Sequence, residues 1–256
     1  MRRTSSTLYH HFNQKIIKLG NFNINPEITV LTKRVPDPTI YYNEVNSLRR
    51  LQGHDGIVKL LDYDKYKQTI EIPYYHDGDL LEYIKTKGRL EEEEVLILIK
   101  KILQSLQYCH ELNLVHGDIK PDNIILNKKY NNIGHFPILI DFGHSCILPY
   151  NENSYNSLPP LHKVNYNIGT PQYMAPELNE HKVSTTSDIY STGIMLYTML
   201  VGKHPVISDM GELDTSFQEY YDINYRLVNL IIEMTDIDYR QRPSAEEILY
   251  MDVFNY

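Results

Sequence analysis

Between residues 15 and 75 the apolar positions come in short runs, "KIIKL", "EITVLTKRV", "GIVKLLDY" and "QTIEIPYY", separated by Gly20, Pro26, Gly53 and Gly56. Brief β-branched runs bounded by chain breakers predict strands. One stretch differs. In "YYNEVNSLRRLQG" Val45, Leu48 and Leu51 recur at helical spacing and Gly53 stops them, which predicts a helix. From about residue 79 the spacing becomes helical. In "LEEEEVLILIKKILQSLQYCHELN" the positions Val95, Ile99, Ile102, Leu106 and Cys109 form one buried stripe. The glutamates at 91 to 94 suit the positive end of that helix's dipole, so they read as a solvated helix start. "TTSDIYSTGIMLYTMLVG" (185–202) predicts a mostly apolar helix ended by Gly202, and "INYRLVNLIIEM" and "SAEEILYMDVF" predict two more. The pattern gives an α+β, bilobal chain, with a small β-rich lobe over about 14–75 and a larger helical lobe over 76–256, together one domain spanning 1–256.

At 256 residues, 42% of them hydrophobic, the chain is long enough to bury a core in each lobe. A net charge of −8 argues against nucleic acid as a partner. "VLILI" (95–99) is among the longest apolar runs and is far too short for a membrane span. Only Cys109 and Cys146 occur, and "MRRTSSTLYH" lacks the apolar core of a secretion signal, which points to a reducing, cytoplasmic location. That cytoplasm is the host's if the chain is viral or a bacterial effector. His10, His11, His54, His76 and His135 show no metal-ligand spacing.

The chemistry gathers in "HGDIKPDNIILN" (116–127), where charged and amide groups lie between two hydrophobic segments. Downstream, "PILIDFGHS" is a buried-strand pattern that ends in Asp141, Phe142 and Gly143. A strand ending so delivers a carboxylate to a cleft edge, and Asn123 offers a second oxygen. One carboxylate and one amide suit Mg2+, which prefers few protein ligands together with water and phosphate oxygens. Asp118 remains as a free carboxylate, and Lys120 is placed to neutralise charge on a group being transferred. The set suits phosphoryl transfer by positioning and electrostatics.

These residues resemble the protein-kinase superfamily, of the eukaryotic serine/threonine type. "HGDIKPDN" is similar to the catalytic loop H-R-D-x-K-P-x-N, and "DFG" to the metal-binding motif. "GTPQYMAPE", "SDIYSTG" and "DYRQRPSAEEIL" resemble, in order, the substrate-docking segment, the start of the central helix and the closing helix pair. The resemblance runs from about residue 28 to 250. It implies ATP and Mg2+ as cofactors and a protein substrate with a Ser or Thr acceptor. Asp118 then orients the substrate hydroxyl, Lys120 contacts the γ-phosphate, and Asn123 and Asp141 hold the metal. Lys33, paired with Glu44, reaches the α- and β-phosphates. The nucleotide contacts fall on Leu31, Ile72 at the gatekeeper position, the Pro73 carbonyl, the Tyr75 N–H, Asp79 and Ile125. Asp79 also reads as a helix cap, because "DLLE" has the capping-box form. By the same resemblance Glu177 and Arg242 form a buried ion pair, Asp188 holds the backbone around His116, and Leu48, Leu60, His116 and Phe142 stack as a spine joining the lobes.

The departures from the family pattern are equally specific. Only Gly20 precedes Lys33 where a glycine-rich loop is expected, so the phosphate-covering flap reads as clipped, with turns at Gly20-Asn21 and Asn25-Pro26. Leu31 replaces the small alanine that usually roofs the adenine. Lys33 and Glu44 are close in sequence, which suggests a short small-lobe helix, and the chain after residue 202 looks too short for the usual helix before "INYRLVNLIIEM". Gly117 replaces the arginine that usually pairs with an activation-segment phosphate, and reads as filling a space that needs no countercharge. The expected activity is therefore constitutive or controlled by a regulatory protein partner. Two other functions compete: a pseudokinase scaffold, favoured by the clipped flap and Leu31, and a small-molecule phosphotransferase, which also opens its catalytic loop with H-G-D. "GTPQYMAPE" and the Glu177–Arg242 pair argue against the latter, because they build a peptide-docking platform.

Overall fold

A computed structural model describes residues 16–21, 29–128, 135–149, 160–165, 168–208, 213–214 and 221–254. The small lobe begins with β1 (Ile16–Asn21) antiparallel to β2 (Thr29–Arg34). Gly20 pairs with Val30 and Asn21 with Thr29, so the expected turn at Gly20-Asn21 is instead the end of a strand. The β-forming Thr29 and Val30 extend the ladder to that point. The expected Asn25-Pro26 turn lies outside the described residues. Along β2, Leu31 and Lys33 are two apart and both buried, so they share one face.

α1 (Pro38–Arg50) follows. Asp37 caps it, accepting from Thr39 N at 2.8 Å and Ile40 N at 3.1 Å, and Pro38 supplies the fixed φ of a first helical residue. The helix therefore starts three residues before the predicted Tyr41. At 13 residues it corrects the expectation of a short helix. Its buried stripe is Tyr41, Glu44, Val45 and Leu48, which carries one carboxylate inward among apolar neighbours. "GIVKLLDY" is mostly not a strand: only Asp62–Asp64 pairs, as β3, with β4 (Thr69–Pro73). Gly56, Ile57 and Val58 instead hydrogen-bond or bridge to Leu139 of the larger lobe, and their apolarity serves that junction. The strand order is β1-β2-β4-β3.

The larger lobe opens with α2 (Leu80–Lys87), capped by Asp79, and α3 (Glu92–Glu111). All five predicted stripe residues of α3 are buried. Its glutamates are not simply solvated. Glu92 accepts from Asn224 N at 2.7 Å, and Glu94 accepts from Tyr83 OH at 2.5 Å and Lys87 Nζ at 2.9 Å. Short strands β5 (Leu114–Val115), β6 (Ile124–Asn127), β7 (Phe136–Leu139) and β8 (Cys146–Ile147) form two ribbons, β5 with β8 and β6 with β7. These ribbons hold the polar loop 116–123 and the Asp141 turn beside each other. β9 (His162–Lys163) pairs with β10 (Lys182–Val183), and α4 (Thr185–Val201) runs through the core, its end set by Gly202 at φ +77°. α5 (Tyr225–Met234) and α6 (Ala245–Leu249) close the lobe. The helix expected to be missing before α5 concerns a stretch in which 209–212 and 215–220 lie outside the described residues. Among the described residues no helix is long and apolar enough to cross a membrane.

Candidate active site

The loop between β5 and β6 is fixed from beneath by Asp188, in the first turn of α4. Its carboxylate accepts from the backbone N–H groups of His116 at 2.8 Å and Gly117 at 2.9 Å. The His116 ring is placed by the same logic. Asp118 N donates to Nδ1 at 3.2 Å, so Nε2 carries the proton and donates to the Ile140 carbonyl at 3.0 Å. The ring also meets Phe142, with centroids 4.6 Å apart. Leu48 is fully buried on the small-lobe side, while Leu60 is only partly buried.

Four side chains then converge. Asp118 Oδ2 lies 2.8 Å from Lys120 Nζ and accepts from Asn123 Nδ2 at 3.0 Å, while Oδ1 accepts from the Thr170 hydroxyl at 2.7 Å. Lys120 Nζ in turn donates to Thr170 Oγ1 at 2.6 Å. A carboxylate held by an ammonium, an amide and a hydroxyl is oriented by charge-assisted bonds. A substrate hydroxyl taking the place of Thr170 on Oδ1 meets an acceptor and a cation together.

Across the cleft, Lys33 is fully buried, ion-paired with Glu44 and 3.2 Å from Asp141 Oδ1. Burial pulls its pKa down, but the nearby carboxylates of Asp141 and Glu44 more than offset this, and the net shift is upward. Lys33 therefore stays charged. Asp141 adopts a left-handed conformation, φ +62°, the sharp turn that aims its carboxylate into the cleft. It and Asn123, whose donated bonds to Asp118 use only the NH2 group, present hard oxygens that fit Mg2+. Among the described residues no group of three or more His, Cys, Asp or Glu could hold a metal ion.

Sequence reasoning missed a buried link behind this site. Ser145 Oγ donates to the Phe142 carbonyl at 2.5 Å, so the 2.7 Å contact with Ser47 Oγ is donated by Ser47. The pair ties α1 to the Asp141–Gly143 turn across 98 positions, and no local signal announces it.

Leu31, Ile72, Pro73, Tyr75 and Ile125 line one slot, joined by Tyr74 and Ile140, which the sequence did not single out. Asp79 is not part of that lining. It bridges Ile125 through the backbone, and its carboxylate accepts from Glu82 N at 2.8 Å as a helix cap.

Gly117 has a physical reason other than absent charge. Its φ is +79°, and a Cβ there would sit 2.6 Å from the His144 carbonyl oxygen and 2.7 Å from Ile168 Cγ2. The space is filled by the His144 backbone and the Ile168 side chain, a steric reason for the glycine that stands beside its lack of charge. Gly169 faces it at φ +87°, with room for no Cβ beside the Gly117 carbonyl at 2.9 Å. The chain around Gly169 thus packs directly on the loop around Gly117. The far end of "GTPQYMAPE" is anchored by Arg242, which donates to Glu177 at 2.7 and 2.9 Å in a fully buried fork. Ser154 and Ser157, which lie upstream between Gly143 and Ala175 and offer hydroxyls for phosphorylation, fall outside the described residues.

The chain spans between 53% and 60% of the length of the mammalian phosphorylase b kinase gamma catalytic chains it matches. The human liver/testis isoform is 27% identical over 265 residues, covering 96% of this chain and 60% of that protein. The probable serine/threonine-protein kinase HSL1 of Saccharomyces cerevisiae is 28% identical over 213 residues, covering 79% of this chain and 13% of that one. Serine/threonine protein kinase OSK3 of Oryza sativa is 33% identical over 160 residues, covering 61% and 28%. The protein kinase domain family matches residues 27–254, a span that contains the Asp118 loop, the Lys33–Glu44–Asp141 cluster and the Glu177–Arg242 anchor, and the chain belongs to that family.

Proposed function

We propose that this chain is a serine/threonine protein kinase whose activity does not depend on phosphorylation of its activation segment. The observation that carries the catalytic reading is the joint geometry of Asp118, Lys120, Asn123 and Thr170 facing the Lys33–Glu44–Asp141 cluster. Asp118 orients the substrate hydroxyl and takes its proton, and Lys120 offsets charge on the transferred group. Lys33, held by Glu44, binds the triphosphate. Asn123 and Asp141 would hold Mg2+, which would supply neutralisation of the charge developing on the phosphate oxygens. The Pro73 carbonyl and the Tyr75 N–H serve the base. The serine/threonine assignment is supported by Thr170 on Asp118 and by the printed names of the yeast and rice relatives. A cytoplasmic location, a protein substrate and a regulatory protein partner belong to the same reading.

Independence from phosphorylation is supported by Gly117, which offers no cation, and by its backbone packing against Gly169. Phosphatase-treated and untreated enzyme are expected to transfer phosphate to serine or threonine at rates within about twofold, since phosphorylation acts by adding charge-assisted bonds and the usual donor is missing. A rate that collapses on phosphatase treatment and returns on rephosphorylation contradicts this. The pseudokinase reading is favoured by one observation, the narrowness of the slot beside Leu31.

A further inference from the structure

The slot lined by Leu31, Ile72, Pro73, Tyr75, Ile125 and Ile140 encloses about 10 Å3. That is room for about one water molecule, whereas small-molecule pockets run to about 300–1,000 Å3. Its walls come from both lobes. Leu31 on β2 and Ile72 on β4 are register partners in the small sheet, and Ile125 on β6 and Ile140 before Asp141 belong to the larger lobe. Leu31, Ile72 and Ile140 are each 3% exposed, and Ile125 is 7% exposed. The slot is thus narrow and walled by apolar side chains drawn from both lobes. The phosphate end is in the opposite condition. Lys33, two residues along the same face of β2, is already paired with Glu44 and Asp141, and the Asp118 loop is assembled.

We propose that Leu31 is the gate of the base slot and the residue that sets this protein's nucleotide affinity and base selectivity. A base enters only when Leu31 parts from the floor formed by Ile125 and Ile140, so the observed affinity is lowered by the fraction of molecules that are open. The triphosphate is bound apart from this slot, by Lys33 and by the cation that Asn123 and Asp141 would hold. The chain therefore gains most of its nucleotide affinity from the phosphates and discriminates weakly among bases. Shortening Leu31 removes the plug without touching Lys33.

This inference rests on the kinase reading, and calorimetric titration of the full chain with Mg2+ separates the two. Wild type is expected to bind ATP, GTP and inorganic tripolyphosphate with affinities within about threefold of one another. Leu31→Ala is expected to tighten ATP about tenfold or more and to change tripolyphosphate less than twofold. Leu31→Val, which keeps a good strand former on β2, is expected to give an intermediate gain for ATP alone and keeps the test valid if the alanine variant does not fold. Unchanged ATP affinity in both variants, or equal tightening of ATP and tripolyphosphate, overturns the gate. Tighter ATP binding without any phosphate transfer to protein upholds the gate and overturns the kinase reading.

Discussion

Asp118→Asn is expected to lower the rate of phosphate transfer by about 10²–10⁴-fold, the range that a positioned general base contributes. The asparagine keeps the shape of the side chain and can still meet Thr170 and Lys120, which now surround Asp118 at 2.7 and 2.8 Å. What it loses is the negative charge that, on the proposed reading, would attract and receive the hydroxyl proton. Nucleotide affinity should change little, because Lys33 and Asp141 stand on the other side of the cleft. Rates at saturating nucleotide, with ATP affinity measured separately, check this. A variant that loses ATP binding in proportion to rate would make Asp118 a binding residue instead.

The second large effect is on stability. Glu177→Ala leaves the Arg242 guanidinium fully buried without its carboxylate partner, and breaking a buried pair from one side costs about 3–5 kcal/mol. The remaining acceptors are the carbonyls of Thr186, Ile237 and Asp236, which are dipoles and do not neutralise a charge. Ser187 also loses its acceptor, since its hydroxyl donates to Glu177 at 2.7 Å. For a chain of this size the loss should lower the melting temperature on the order of 10 °C. Replacing both partners by methionine should recover much of it, because the isolated buried charge is then gone. Calorimetric melting of the two variants decides the matter: equal losses in the single and double variants would mean that packing, not charge, sets the effect.

The parts of the fold that were legible in the sequence are those whose signals are local. α4 could be placed to within a residue because a long apolar run ends at Gly202, whose φ of +77° a glycine adopts without strain. The loop from 116 to 123 stood out because charged and amide groups are dense there, and the fold brings its Asp118, Lys120 and Asn123 together. The illegible parts depend on partners distant in sequence. Ile57 and Val58 look like strand residues, but their apolar side chains serve the junction with Leu139. Glu92 and Glu94 look solvated until Asn224, Tyr83 and Lys87 are brought to them. The start of α1 was legible in principle, since Asp37-Pro38 is a cap followed by a first-turn proline, but the apolar periodicity begins later and hid it. Gly117 showed that something was missing. Only the His144 carbonyl and Ile168, brought against it by the fold, show why no side chain stands there.

The most direct test of the account is transfer of labelled γ-phosphate from ATP, with Mg2+, to a generic basic protein, comparing the chain with its Asp141→Ala variant at saturating nucleotide. Asp141 contributes a cleft-facing carboxylate to Lys33, which keeps its ion pair with Glu44 in the variant, and on the proposed reading it would contribute that carboxylate to the metal. Label is expected on serine or threonine with the native chain and none above background with the variant, with nearly equal melting temperatures for the two. Equal labelling by both proteins, or none by either, would contradict this.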